Sequence, residues 1–153
     1  MCEVSYRLAT PADIETLVQL RVAFLAEAMP EGSPVPTLAE GIRAYFGTSV
    51  PAGDFVASLA IAEGACIGVS GLVLHRHPPR LKNPAGLSGY ILNVYVVPAF
   101  RRRHIATKLV ALLAEHARAA GCTYLNLHAL PGRQAVYLKL GFIPKDTEYV
   151  LQL

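Results

Sequence analysis

The chain has 153 residues, 53% of them hydrophobic and 16% charged, with a formal net charge of +3. This length suits one domain over residues 1–153 with enough apolar side chains for a core. The composition excludes disorder, and the charge by itself is too small to argue for nucleic acid. Cys2, Cys66 and Cys122 are widely spaced and form no C-x-x-C pair, so neither a disulfide framework nor a metal site is expected. Idle thiols of this kind suit a reducing, cytoplasmic setting. The start MCEVSYRLAT lacks a basic stretch followed by an apolar run, so a secretory leader is not expected either.

Taken in order, Val4–Leu8 alternates weakly and reads as a strand. Thr10 is placed to cap a helix, and Pro11 suits its first turn. Ile14, Leu17, Val18, Arg21, Leu25 and Ala28 keep helical spacing, so the helix is expected to reach about Ala28. Residues 29–37 hold three prolines and a glycine and form a loop, after which Thr37 caps a second helix ending near Gly47. The apolar stretch from Phe55 to Leu74 is as long as a membrane span, but Glu63-Gly64 divides it. Two paired strands, Phe55–Ala62 and Ala65–Leu74, explain it better. Residues 75–89 read as a long loop, and Gly89–Val97 as a strand. Arg103–Ala120 reads as an amphipathic helix with Ile105, Leu109, Leu112, Leu113 and His116 on its buried side, ended by Gly121. Tyr124–Leu127 is a strand and Gln134–Leu140 a short helix. Phe142–Ile143 and Glu148–Leu153 read as closing strands. The order β-α-α-β-β-β-α-β-α-β-β is that of a mixed α/β domain.

The most informative stretch is VYVVPAFRRRHIATKLVALL, residues 94–113. A strand passes through a basic turn into a helix start. The first N–H groups of a helix have no partner inside it, and the helix dipole favours negative charge there. Such a turn suits a small phosphorylated ligand.

This segment resembles the acetyl-coenzyme-A motif of the GNAT acetyltransferase superfamily, a strand followed by Arg/Gln-x-x-Gly-x-Gly/Ala at a helix start. Arg101 takes the first position, His104 stands where glycine is usual, and Ala106 fills the last. Tyr137-Leu138-Lys139-Leu140-Gly141-Phe142 resembles the family's second signature, and Leu127-His128-Ala129 with Gly132-Arg133 is similar to a common bacterial form. The resemblance is strong over residues 89–143 and rests on element order alone before that. It implies a mostly antiparallel, twisted mixed sheet flanked by helices and splayed at a central parallel strand pair. It also implies acetyl-CoA as co-substrate, a primary amine of a small molecule or protein as acceptor, and direct attack through a tetrahedral intermediate. Family members are often homodimers.

The amides and side chains of Arg101, Arg102, Arg103, His104, Ile105, Ala106 and Thr107 would then surround the pyrophosphate. Backbone groups of Tyr95, Val96 and Val97 would pair with the pantetheine arm and polarise the thioester. A histidine at 104 costs about a kcal/mol or more if that residue needs positive φ. Tyr137 occupies the family's acid position, and a phenol with an ordinary pKa of about 10 can protonate a leaving thiolate. Some relatives carry a glutamate on the strand before the turn, but residues 88–97 contain no carboxylate. Asn93 could at best hold a water. His128 is therefore the candidate base, and a water relay is the other route. Glu27 and Glu31 flank the first inter-helix loop and could attract a cationic amine. Arg133 and Lys139 are candidates for the 3′-phosphate. A non-catalytic acyl-CoA sensor of the same fold is the alternative function. A nucleic-acid module lacks a second basic stripe, and a dinucleotide-binding dehydrogenase lacks an early G-x-G-x-x-G.

Overall fold

Glu63 and Gly64 both have positive φ, 50° and 77°, as a two-residue type I′ hairpin turn requires. They join two antiparallel strands whose ladder closes at Ala62 and Ala65. The computed structural model describes residues 2–153. Its strands are β1 (Val4–Leu8), β2 (Phe55–Ala62), β3 (Ala65–Arg76), β4 (Leu87–Val96) and β5 (Leu125–Asn126). Its helices are α1 (Ile14–Ala28), α2 (Ala39–Ala52), α3 (Ile105–Ala119) and α4 (Gln134–Lys139). The strands form one mixed sheet in the order β1-β2-β3-β4-β5, antiparallel except for the last pair.

Helices cover both faces of the sheet. On one, Leu17, Val18 and Leu20 of α1 and Phe46 of α2 pack on Phe55, Leu59, Val69 and Tyr95. On the other, α3 buries Ile105, Leu109, Val110, Leu113 and Ala117 against Ile67, Leu72, Ile91 and Val96. Leu112 and His116, expected inside, are only half-buried. The buried stripe runs through Val110 and Ala117 instead, the side that packs on Leu72 and Ile91.

Arg7 clamps the entry to α1. Its guanidinium donates to both Asp13 oxygens at 2.8 Å, and Asp13 also accepts the Thr10 N–H at 2.7 Å. The guanidinium holds the Asp13 carboxyl down to about 2. A depressed pKa contributes stability that is complete above the unfolded carboxylate range and is lost as pH falls from about 4 towards 2. Because Arg7 is half-exposed, the contribution is discounted to about 1–2 kcal/mol. Urea unfolding of Asp13→Asn at neutral pH is expected to show a loss of that size, shrinking to nothing near pH 2.

Several boundaries differ from the sequence pattern. α2 runs through Gly47 to Ala52 and stops at Gly53, φ 77°; burial of Phe46 and Ser49 on either side outweighs the weak helix preference of glycine. β3 and β4 extend into the expected loop by pairing Leu74, His75 and Arg76 with Gly89, Ser88 and Leu87. The two closing strands are not formed: no residue from 140 to 153 is in a strand. Pro144 interrupts the run, and β5 at the sheet edge is too short to template a ladder. The parallel pair therefore lies at the edge of the sheet, not at its centre. Among the described residues no helix is long and apolar enough to cross a membrane.

Candidate functional site

Two departures from a regular sheet create the site. Leu92 of β4 pairs with Gly71, and Tyr95 with Val69. One residue of β3 thus faces two of β4, a bulge at Asn93–Val94 that bends the strand. Asn93 carries the left-handed φ of 56° this needs. β4 and β5, moreover, pair only at Gly89–Leu125 and Tyr90–Asn126. Beyond those two rungs the strands part, which is the splay expected from the sequence. A cavity of about 400 Å³ fills the gap, lined on one side by Ile91–Val94 and Val96, on the other by His128, Leu130, Arg133, Val136, Tyr137 and Lys139, and at one end by Arg101, Arg102 and residues 104–107. A smaller cavity of about 240 Å³, lined by Phe24, Glu27, Ala28 and Tyr95, shares Phe24, Leu130 and Arg133 with it.

The basic end is a helix N-terminus. The first backbone bond into α3 runs from Lys108 N to His104 O at 3.2 Å, and His104 makes no side-chain cap. Ile105, Ala106 and Thr107, whose amides precede the first bond of the helix, line the cavity, and a helix start of this kind attracts an anion. Arg102 and His104 both have positive φ, 63° and 58°. The left-handed His104 cannot belong to the helix, so α3 begins at Ile105 and not at Arg103. Histidine bears the steric cost that glycine would avoid. His104→Gly is expected to raise stability by about 1 kcal/mol in denaturant titrations.

The three arginines differ in role. Arg101 turns back: its Nε donates to Val96 O at 2.8 Å, its guanidinium lies over the Tyr95 ring, and it donates to Glu27 at 2.6 Å. Arg102 borders the cavity. Arg103 stacks on Phe100 and does not line the cavity, because its position in the turn points it away from the helix start. Among the Tyr95–Val97 groups, the Val97 N–H already donates to Ile67 O at 2.9 Å and Val96 O accepts from Arg101. The β4 backbone along the cavity is centred on Ile91–Val94 instead.

Glu27, which the sequence offers as a residue to attract an amine, is engaged within the protein. It bridges Arg101 and, at 3.6 Å, Arg133, and its hydrogen bond to Arg101 holds its carboxyl below the usual range. It ties α1 to both rims of the splay. Glu31 is exposed and lines neither cavity.

Tyr137, on α4, lies in the cavity wall with its ring edge-to-face to Phe142. Burial pushes its phenol above the ordinary value, against the nearby charge of Arg133, so the group stays protonated. His128 faces the same cavity. Its Nδ1 is 2.9 Å from the Tyr90 hydroxyl and its Nε2 meets the Glu148 carboxylate. A carboxylate takes the Nε2–H, which leaves the Nδ1 lone pair to accept from Tyr90. Arg133 and Lys139 both line the cavity. The thiols do not: Cys66 and Cys122 are free, half-buried and pushed up by burial. Among the described residues no His, Cys, Asp and Glu cluster could hold a metal.

The sequence did not single out Phe24, Leu130, Val136, Tyr90 or Glu148, and it undervalued Asn93. Only Asn93 carried a signal: asparagine is disfavoured inside a strand but tolerates left-handed backbone.

The model of the family described as "Acetyltransferase (GNAT) family" matches residues 20–142. Glucosamine 6-phosphate N-acetyltransferase 1 of Oryza sativa subsp. japonica is 32% identical over 121 residues, 76% of this chain and 71% of the relative. A predicted acetyltransferase from Clostridium acetobutylicum, crystallised with acetyl-CoA, superposes with a TM-score of 0.88 and 26% identity over 98% of this chain and 96% of its own. A GCN5-related N-acetyltransferase from Ralstonia eutropha JMP134 gives 0.86 and 25% over 99% of both chains.

Proposed function

The chain belongs to the GNAT acetyltransferase family, and from that premise we propose that it is a cytoplasmic N-acetyltransferase that moves the acetyl group of acetyl-CoA directly to the primary amine of a small molecule or protein. One observation carries the reading: a single cavity joins the uncapped start of α3 to the protonated Tyr137 through the parted β4 and β5. The residues fit the carrier. The amides of Ile105, Ala106 and Thr107, with Arg102, would hold the pyrophosphate, and Arg133 and Lys139 the 3′-phosphate. When bound, acetyl-CoA supplies an acyl carbon activated by its thioester.

The protein's groups then manage protons. His128 takes one from the incoming ammonium at Nδ1, handed over by the Tyr90 hydroxyl, and Glu148 stabilises the imidazolium. As the carbon–nitrogen bond forms and the carbon–sulfur bond breaks, Tyr137 gives its phenolic proton to the sulfur. The proton left on the new amide nitrogen and the one held by His128 go to water, and Tyr137 regains one from water.

The test is a thermal shift with acetyl-CoA followed by thiol release with a panel of primary amines, glucosamine 6-phosphate first among them because a relative bears that name. At a hundredfold excess over Kd a ligand stabilises by about 2.7 kcal/mol, a shift of roughly 5–10 °C for a domain this size. Absence of any shift would end the reading. A shift with no thiol released for any acceptor would favour the non-catalytic sensor.

A further inference from the structure

The Asn93 carboxamide is 4% exposed, and neither its Nδ2 nor its Oδ1 has a hydrogen-bond partner in the protein. A buried polar group is normally paired, and leaving one unpaired is costly. The residue is further burdened by its left-handed backbone at the bulge. Ser70, on β3 opposite the bulge, brings no relief, because its own buried Oγ is also unpartnered. Two local costs at one residue mark a place where function holds a conformation that folding alone would not choose. Asn93 and Tyr137 line the same cavity between the parted strands.

We propose that the Asn93 side chain is the acyl-recognition group of this enzyme: its Nδ2–H donates to the carbonyl oxygen of the bound thioester, and its Oδ1 stays free for an N–H of the attacking amine. This rests on acetyl-CoA being the donor. The carbonyl oxygen is an acceptor that can satisfy the orphaned Nδ2–H. A donor fixed at that oxygen strengthens its bond as negative charge develops there. The carbon and the nitrogen that must join are then held by the two ends of one rigid amide, each within hydrogen-bond reach of its atom.

Asn93→Gly separates the side chain from the bulge, since glycine keeps the positive φ without strain. Calorimetric titration of the wild type and Asn93→Gly with acetyl-CoA and with free CoA reads the contribution directly. A neutral hydrogen bond predicts that Asn93→Gly weakens acetyl-CoA about three- to tenfold and leaves CoA unchanged. The carbonyl stretch of 13C-labelled acetyl-CoA should lie at lower frequency on the wild type than on the variant. Equal weakening of both ligands, or no weakening of either, would overturn the proposal. If Asn93→Gly does not fold, Asn93→Ala provides the test: it removes the amide donor without adding a charge or a new donor, and should show the same selective loss. If the wild type binds neither ligand, the acetyl-CoA reading falls, and this one with it. If it binds both and the variant matches it, only the role of Asn93 falls.

Discussion

Tyr137→Phe is expected to lower kcat about tenfold or more, the usual contribution of a general acid, with the Kd of acetyl-CoA changed less than twofold. The substitution removes one hydroxyl and keeps the ring that packs on Phe142 and on the sheet. The fold should therefore survive, and melting temperatures check that it does. The phenol suits the task because burial holds it protonated. The sign of that shift sets the pH profile. An acid with a raised pKa keeps its proton until pH passes the raised value, so any alkaline fall in kcat due to Tyr137 should begin above about 10, the ordinary tyrosine value. The same variant should lack that limb. An unchanged kcat in steady-state assays would remove Tyr137 from the chemistry and leave it as packing.

Leu109→Ala is expected to destabilise the protein by about 3–4 kcal/mol, near the middle of the range for fully buried leucines. Leu109 is 0% exposed. It packs α3 on β2 and β3 beside Ile105 and opposite Gly68, and its carbonyl accepts the Ser58 hydroxyl at 2.9 Å. Truncation leaves a void that neither the sheet nor the helix can fill without losing that register. The melting temperature should drop by roughly 10 °C, using about 2–4 °C per kcal/mol for a chain of this size. Acetyl-CoA should restore part of the loss, because α3 carries the amides that would hold the pyrophosphate, and ligand binding and helix docking are then linked. A drop below about 1 kcal/mol would show that α3 is not anchored where the structure places it.

The chain's repeated chemistry made most of the fold legible. Period-two and helical spacings located every strand up to β5 and all four helices, and Glu63-Gly64 marked its own hairpin. The ends were less legible because they depend on partners. β3 and β4 lengthen only since each provides the other's ladder, and the closing strands fail since no adequate edge receives Phe142–Ile143 or Glu148–Leu153. The site divides in the same way. Arg102, Ile105–Thr107, Tyr137, His128, Arg133 and Lys139 line the cavity from motif positions alone. Arg103 does not line it, Val96 O and the Val97 N–H are engaged within the protein, and Glu27 is an arginine bridge.

By itself the sequence determined that a strand would meet a basic turn and then a strong amphipathic helix, and that a tyrosine would follow on a short helix. These are local properties, set by hydrophobic period, caps and breakers within a few residues. Only the tertiary structure decided which groups are free to act. Whether an arginine meets a phosphate or a glutamate, whether a histidine stands between a hydroxyl and a carboxylate, and whether an asparagine amide is left unpaired are outcomes of contacts between segments far apart in the chain. No local pattern encodes them, because the energy of a buried charge or amide depends on the partners that folding brings to it.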